Sequence, residues 1–366
     1  MREAVWILGG TGRAGHSIAS ELVERGCEPV LVGRDRARLT VAAAALGADT
    51  LVAGSVDAIA AEIANRTPAV VINTIGPFTA SAPAVARACI EHATHYIDLA
   101  NDLAAVGETL ALGDAAAAAG ATLVTGAGFG VTATESVVVK LCAGRPTPRD
   151  VRVDMIPSLA VDGGPMGEAL AGTLVGGIPG VDGGGRFQGR RYRDGRLVAA
   201  PIGGDAVQLT LPDGARVTTA GAPLGELMAA QRASRAPSVL AASSETPHST
   251  AMRVLLPLVT PLLQVAAVRD FALRRLARVE IAARPRPREH SYGHARVTWS
   301  DGTSSEGWLR LGDAQAFTGA VPAEIARRLV GGSGRPGAFT PAALFGPDLA
   351  ESCGAEYLLP ADGDGA

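Results

Sequence analysis

Three glycines spaced G-x-x-G-x-x-G, Gly9, Gly12 and Gly15, lie between the apolar run Ala4 to Leu8 and a helical pattern carrying Ile18, Leu22 and Val23. Residues of this type at this spacing hold phosphate. Gly9 lets the chain turn tightly, Gly12 lets backbone approach a pyrophosphate, and Gly15 lets a helix pack on a strand. The helix N-terminus then offers N–H groups and positive partial charge to the anion. The chain has 46 glycines, so the spacing alone is weak; its place after a strand and before an amphipathic helix gives it weight. Gly9, Gly10, Thr11, Gly12, Arg13, Ala14 and Gly15 are the expected dinucleotide contacts. The alternative is a structural turn.

The next strand, Pro29 to Val32, ends in Gly33-Arg34-Asp35-Arg36. An NAD enzyme usually carries an acid near this point to bind the ribose 2'-hydroxyl. Arg34 presents a guanidinium instead, whose fork suits a 2'-phosphate, so the sequence predicts NADPH over NADH. In the opposing reading Arg34 and Arg36 are solvated and Asp35 caps the following helix.

A hydride acceptor needs a positioned substrate and a proton. The strand Ala69 to Asn73 runs out into Thr74-Ile75-Gly76-Pro77-Phe78, at the edge where open sheets bind ligands. Asn73, Thr74, Gly76, Pro77 and Phe78 are therefore expected cofactor contacts, with Pro77 fixing the turn and Phe78 supplying an apolar wall. An ordinary strand-to-helix loop is the alternative. Tyr96 and Asp98 lie two apart on the strand His95 to Leu99 and share a face, which makes them the candidate proton-transfer pair. Against that, Tyr96 can fill the sheet–helix interface and Asp98 can cap a helix from Asn101. A Tyr-x-x-x-Lys pair is absent, because the fourth residue after Tyr96 is Ala100. Lys140 and Glu135 are not stacked on their helix, and Lys140 reads as solvated. Neither His92/His95 nor His290/His294 sits on one rigid helical face, so no metal site is expected.

Positioning these groups requires alternating strands and helices. Beyond the glycine turn come a strand at Thr50 to Ala53, Asp57 as cap of a helix through Ile63, a helix from about Ala82 to Glu91, and a strand at Thr122 to Thr125. This is the α/β pattern of a doubly wound parallel sheet. From Asp150 the period becomes two, and Asp194-Gly195, Asp213-Gly214 and Asp301-Gly302 mark hairpins, so the class changes to an antiparallel or mixed sheet. With 366 residues there is room for two domains.

A formal charge of −3 and 4% aromatic residues exclude a nucleic-acid-binding surface as the main function. Four dispersed cysteines and a start on a charged pair and a strand read as a cytoplasmic protein without a secretion signal. An uncharged run from Val254 to Val268 precedes Arg269, Arg274, Arg275, Arg278, Arg284, Arg286 and Arg288. It is too short and proline-broken to span a membrane. The segment 254–288 reads as a peripheral membrane contact, a site for an acyl chain or an acidic carrier protein, or a buried helix beside a solvated basic stretch or a homodimer contact.

Asn73 to Phe78, Ala88 to Leu99 and Gly126-Ala127-Gly128-Phe129, together with the glycine turn and Gly33-Arg34, resemble the saccharopine dehydrogenase-like oxidoreductases, which include trans-acting enoyl reductases. Asp301-Gly302, Ala316-Phe317-Thr318 and Gly337 to Pro341 followed by Gly346 are similar to that family's closing segments. The resemblance implies a Rossmann domain over 1–130, a substrate domain on a mixed sheet over 131–335, and a C-terminal segment over 336–366 whose helix returns to the first domain. It favours an NADPH-dependent reductase acting on an activated C=C, C=N or C=O bond of a hydrophobic, carrier-bound or biosynthetic substrate. A saccharopine-type amino-acid dehydrogenase, with Arg186, Arg190, Arg191 and Arg193 holding carboxylates, and a catalytically silent NADPH-binding sensor are the other readings.

Overall fold

The computed structural model describes residues 4–160, 164–165, 189–246, 265–283 and 285–360. The chain divides into two compact units. The first comprises Met1–Asn101, Ala105–Thr132 and Ala314–Gly354. It alternates β1 (Val5–Leu8), α1 (Arg13–Glu24), β2 (Pro29–Gly33), α2 (Arg36–Leu46), β3 (Asp49–Val52), α3 (Val56–Arg66), β4 (Val70–Asn73), α4 (Phe78–Glu91), β5 (His95–Asp98), α5 (Leu103–Ala111), α6 (Gly113–Ala118) and β6 (Thr122–Val124). The sheet order is β6-β5-β4-β1-β2-β3, every pair parallel, with Gly337–Phe339 added beside β6. Helices cover such a sheet on both faces, which is why β1 and β4 are buried along their whole length.

Local chemistry moves several element ends from their expected places. Ser55, not Asp57, caps α3, accepting a hydrogen bond from Ala58 N at 3.1 Å, while Asp57 lies in the first turn. Asp35 does cap α2, accepting from Arg38 N at 3.1 Å. α4 begins at Phe78, immediately after Pro77, so the expected loop before Ala82 is already helical. The return to the first unit begins at Ala314 rather than 336. Phe317, Val321, Ile325 and Leu329 recur at four-residue spacing and bury one stripe of the helix Ala314–Val330. That helix packs on α1, where a Cβ on Gly319 would lie 3.2 Å from the Ser17 carbonyl carbon.

The second unit comprises Asp102–Ala104, Ala133–Asp313 and Ala355–Ala366. Its nine-stranded sheet is mixed: β7 (Asp150–Ile156) runs parallel to Ser238–Ser243 and antiparallel to Ser291–Thr298, which continues through Ser304–Leu311 to Glu356–Leu358. The expected hairpins are present, with φ of +51° and +73° at Asp194 and Gly195, +85° at Gly214 and +88° at Gly302. One sheet face packs on α7 (Phe129–Cys142): a Cβ on Gly293 would lie 2.7 Å from Ala133 Cβ, and one on Gly307 3.3 Å from Val137 and Leu141 side chains. Lys140 is not merely solvated; its ammonium sits over the Tyr357 ring, 4.8 Å from the centroid.

The other sheet face carries a polar network beside an apolar cluster of Ile156, Leu209, Leu211 and Tyr292. His294, with a side chain 1% exposed, donates from Nδ1 to Asp154 Oδ2 at 2.8 Å, and its Nε2 lies 3.1 Å from Glu306 Oε1. Arg152 and Thr219 also hold Asp154. Trp308 lies against the imidazole with ring centroids 4.2 Å apart. Burial would lower the His294 pKa, but the bonds to Asp154 and Glu306 outweigh it and raise it. The same bond to His294 is the largest cause holding Glu306 down at about 2.

Candidate functional site: the dinucleotide edge of the first unit

In the strand order β6-β5-β4-β1-β2-β3 the connections reverse direction between β1 and β4. Open α/β sheets bind ligands at that switch point, beyond the carboxyl ends of the strands. The two loops that the sequence singled out emerge there side by side. The Thr74 hydroxyl donates to Leu8 O at 2.7 Å and Thr74 N to the same oxygen at 3.1 Å, tying the β4 exit to the β1 exit. A Cβ on Gly9 would lie 2.6 Å from Thr74 Oγ1, and Gly9 has φ +78°, so no other residue fits there.

The three spaced glycines and Gly10 serve different ends. Gly9 and Gly10 donate their N–H groups to Val32 O, anchoring the turn on β2. A Cβ on Gly10 would lie 2.9 Å from Leu31 Cβ, so this buried glycine packs on β2 and is corrected from a cofactor contact to a support. A Cβ on Gly15 would meet Gly9 O and stand 2.9 Å from Gly10 Cα; its absence lets α1 sit on the turn. Gly12 is exposed, and a Cβ there would meet only Gly9 O, at 3.2 Å. Gly12 is also the N-cap of α1 and brings no side chain to the first-turn N–H groups. This exposed glycine over a helix start, with Thr11, Arg13 and Ala14 beside it in the chain, fits the pyrophosphate of a dinucleotide. Arg34, at the end of β2, is exposed, while the Asp35 carboxylate beside it is turned onto the α2 backbone.

At the β4 exit, Gly76 and Pro77 are joined by a cis peptide, Pro77 is exposed and Phe78 half-buried, so loop and helix start lie open at the edge. Asn73 does not. It is fully buried, its Nδ2 donating to Ser81 Oγ at 3.2 Å and to the Tyr96 hydroxyl at 3.1 Å, its Oδ1 accepting from Ile75 N at 3.0 Å. Asn73 is thus corrected from cofactor contact to the strut that shapes the loop.

Tyr96 and Asp98 share a strand face as expected, but both are 0% exposed. Burial, followed by the charge of Asp98, pushes the Tyr96 phenol well above its usual range. Asp98 does not cap a helix from Asn101; α5 starts at Leu103. Its Oδ1 accepts from Ala100 N at 3.0 Å, Gly126 N at 3.0 Å and Thr125 Oγ1 at 2.8 Å, joining the β5 and β6 exits. Burial raises this carboxyl to about 6, against the bonds from Gly126, Ala100, Thr125 and Tyr96 that hold it down. Covered and engaged in this way, Tyr96 and Asp98 position the edge rather than transfer protons at it. Ser81 and Thr125 complete the network; neither was expected, although Thr125 is marked in sequence by its place at a strand exit. No cluster of metal-binding side chains occurs among the described residues.

Residues 5–124 match the saccharopine dehydrogenase NADP binding domain. No curated protein matches the chain. In fold it is similar to apo saccharopine dehydrogenase (L-Glu forming) from Saccharomyces cerevisiae, with a TM-score of 0.60 and 14% identity over 98% of this chain and 100% of that one. It is also similar, at a TM-score of 0.43, to GenD2 from gentamicin A biosynthesis in complex with NAD, with 14% identity over 98% of this chain and 96% of that one. The matched segment, the strand order and the glycine edge together give this chain a saccharopine dehydrogenase-type NADP binding domain over residues 5–124, the cofactor domain of a nicotinamide-dependent oxidoreductase.

Proposed function

We propose that the protein is an NADPH-dependent reductase acting on an activated C=C, C=N or C=O bond of a hydrophobic substrate, in the manner of an enoyl reductase. The observation that carries the cofactor preference is Arg34: exposed at the end of β2, with the one adjacent carboxylate, Asp35, committed to Arg38 N. A guanidinium so placed can grip a 2'-phosphate that an NAD-type acid would repel. The bound nicotinamide supplies the hydride. The protein's own part is to hold the pyrophosphate over Gly12 and the α1 N-terminus, and to offer Pro77 and Phe78 as an apolar wall at the β4 exit. The Asn73–Tyr96 and Asp98–Thr125 bonds keep these exits in register, the preorganisation that hydride transfer requires.

The reading as an amino-acid dehydrogenase finds less support in the second unit. Arg191 pairs with Asp205 at 3.2 Å and Arg190 is only 2% exposed, so both are engaged rather than displayed, and Arg186 lies outside the described residues. The test is NADPH consumption with a panel of enones, imines and ketones beside saccharopine-type imino acids. Consumption with hydrophobic enones or carbonyls is expected; turnover of imino acids alone would contradict the substrate class. Tight NADPH binding without any consumption would replace the enzyme by a sensor.

A further inference from the structure

The helix Ala266–Ala277 in the second unit departs from the usual pattern of a surface helix, which buries one apolar stripe. No side chain described on it is buried; Ala272, Leu273, Leu276 and Ala277 are half-buried and form its inner side. Bulky apolar groups point outward instead: Val265 is 55% exposed, Val268 39% and Phe271 60%. Val268 and Phe271, three residues apart, share one side of the helix, and Val265 is its exposed N-cap. Arg274, Arg275 and Arg278 follow on that same outward side, three, four and seven residues beyond Phe271, and make no ion pair among the described residues. The sequence leading into the helix, 254–264, contains no charged residue, but it lies outside the described residues, as does Arg284.

The geometry points to a docking surface for anionic lipid. An apolar ridge capped by an arginine cluster is the arrangement that lies in a membrane interface: Val265, Val268 and Phe271 enter the acyl boundary while the guanidinium groups reach the phosphates. Charge complementarity selects the lipid, because unpaired arginines gain from an anionic leaflet and nothing from a neutral one. An acidic protein partner would use the arginines but leave the apolar ridge in water, so the membrane accounts for both halves of the helix. No described helix is long and apolar enough to cross a membrane, which leaves this one to lie along the surface.

The test is cosedimentation of the full chain with phosphatidylcholine vesicles, with and without about one third phosphatidylglycerol, at low and high salt. The wild type sediments with the anionic vesicles, and salt weakens it. The combined variant Arg274→Gln, Arg275→Gln, Arg278→Gln loses about 100-fold in affinity, about fivefold per arginine. Phe271→Asp loses about tenfold or more. All four positions are exposed, and unchanged NADPH binding by each variant controls for folding. Wild-type protein that stays in the supernatant with anionic vesicles overturns the inference. So does binding indifferent to these substitutions, or retention by an acidic carrier protein but not by vesicles.

Discussion

Gly12 and Gly15 belong to one sequence pattern, but the structure assigns them opposite sensitivities to a single methyl group. At Gly15 a Cβ would meet Gly9 O and lie 2.9 Å from Gly10 Cα and 3.0 Å from Gly9 C, all backbone that cannot yield without moving the turn. Gly15→Ala should therefore destabilise the first unit by about 1–3 kcal/mol, the usual range for overpacking. At Gly12 the backbone has φ −83°, which alanine adopts freely, and the added Cβ meets only Gly9 O at 3.2 Å. Gly12→Ala should fold normally and shift stability by less than about 1 kcal/mol. Its methyl adds bulk at the exposed N-cap of α1, beside the first-turn N–H groups expected to hold phosphate. Losing one charge-assisted bond there costs about 1.5–3 kcal/mol, or about 10- to 150-fold in cofactor affinity. Thermal melts without cofactor and calorimetric titration with NADPH separate the two effects. A Gly12→Ala protein that binds NADPH like the wild type would refute the phosphate site, and a Gly15→Ala protein that melts unchanged would refute the packing.

Three further outcomes follow from the buried polar groups. Asp98, raised by burial to about 6 from an ordinary 3.8, favours its protonated form in the folded state; the stability it contributes is present below pH 4 and lost as pH rises through 6, on the order of 3 kcal/mol. Asp98→Asn keeps an acceptor for Ala100, Gly126 and Thr125, so its melting temperature should gain on the wild type between pH 4 and 7; a constant difference across that range would contradict this. Tyr96→Phe strips one partner from Asn73 Nδ2, so it should cost roughly 1 kcal/mol of stability while leaving kcat near normal. A large fall in kcat at unchanged stability would return Tyr96 to proton transfer. His294, raised above 6.5, contributes stability that is full below that value and fades as pH climbs through the raised one. Denaturant unfolding should show His294→Leu destabilised by roughly 3–5 kcal/mol at pH 6 and by less at pH 9, and an equal gap at both would count against a protonated imidazole.

The parallel sheet was legible because its central strands, β1 and β4, are nearly unbroken apolar runs and a glycine turn stands between a strand and an amphipathic helix. The hairpins were legible because Asp-Gly pairs impose positive φ. The side-chain commitments were not. Tyr96 and Asp98 alternate as a catalytic pair would, and nothing local says that Asn73, twenty-three residues upstream of Tyr96, meets the phenol across the β4–β5 pairing. Gly10 looks like its neighbours until Leu31 of the adjacent strand is seen to fill its place. The Asp154–His294–Glu306 network likewise joins one hairpin, which carries His294 and Glu306, to Asp154 on a strand 140 residues upstream of His294, and read along the chain His294 was merely a histidine in a strand.

The most direct test of the central claim is the affinity of wild type and Arg34→Ala for NADPH and for NADH, measured side by side. The account predicts that the wild type prefers NADPH. In the variant NADPH should weaken by about 10- to 150-fold, while NADH changes by less than about twofold. Equal losses for the two cofactors, or a wild type that prefers NADH, would contradict it.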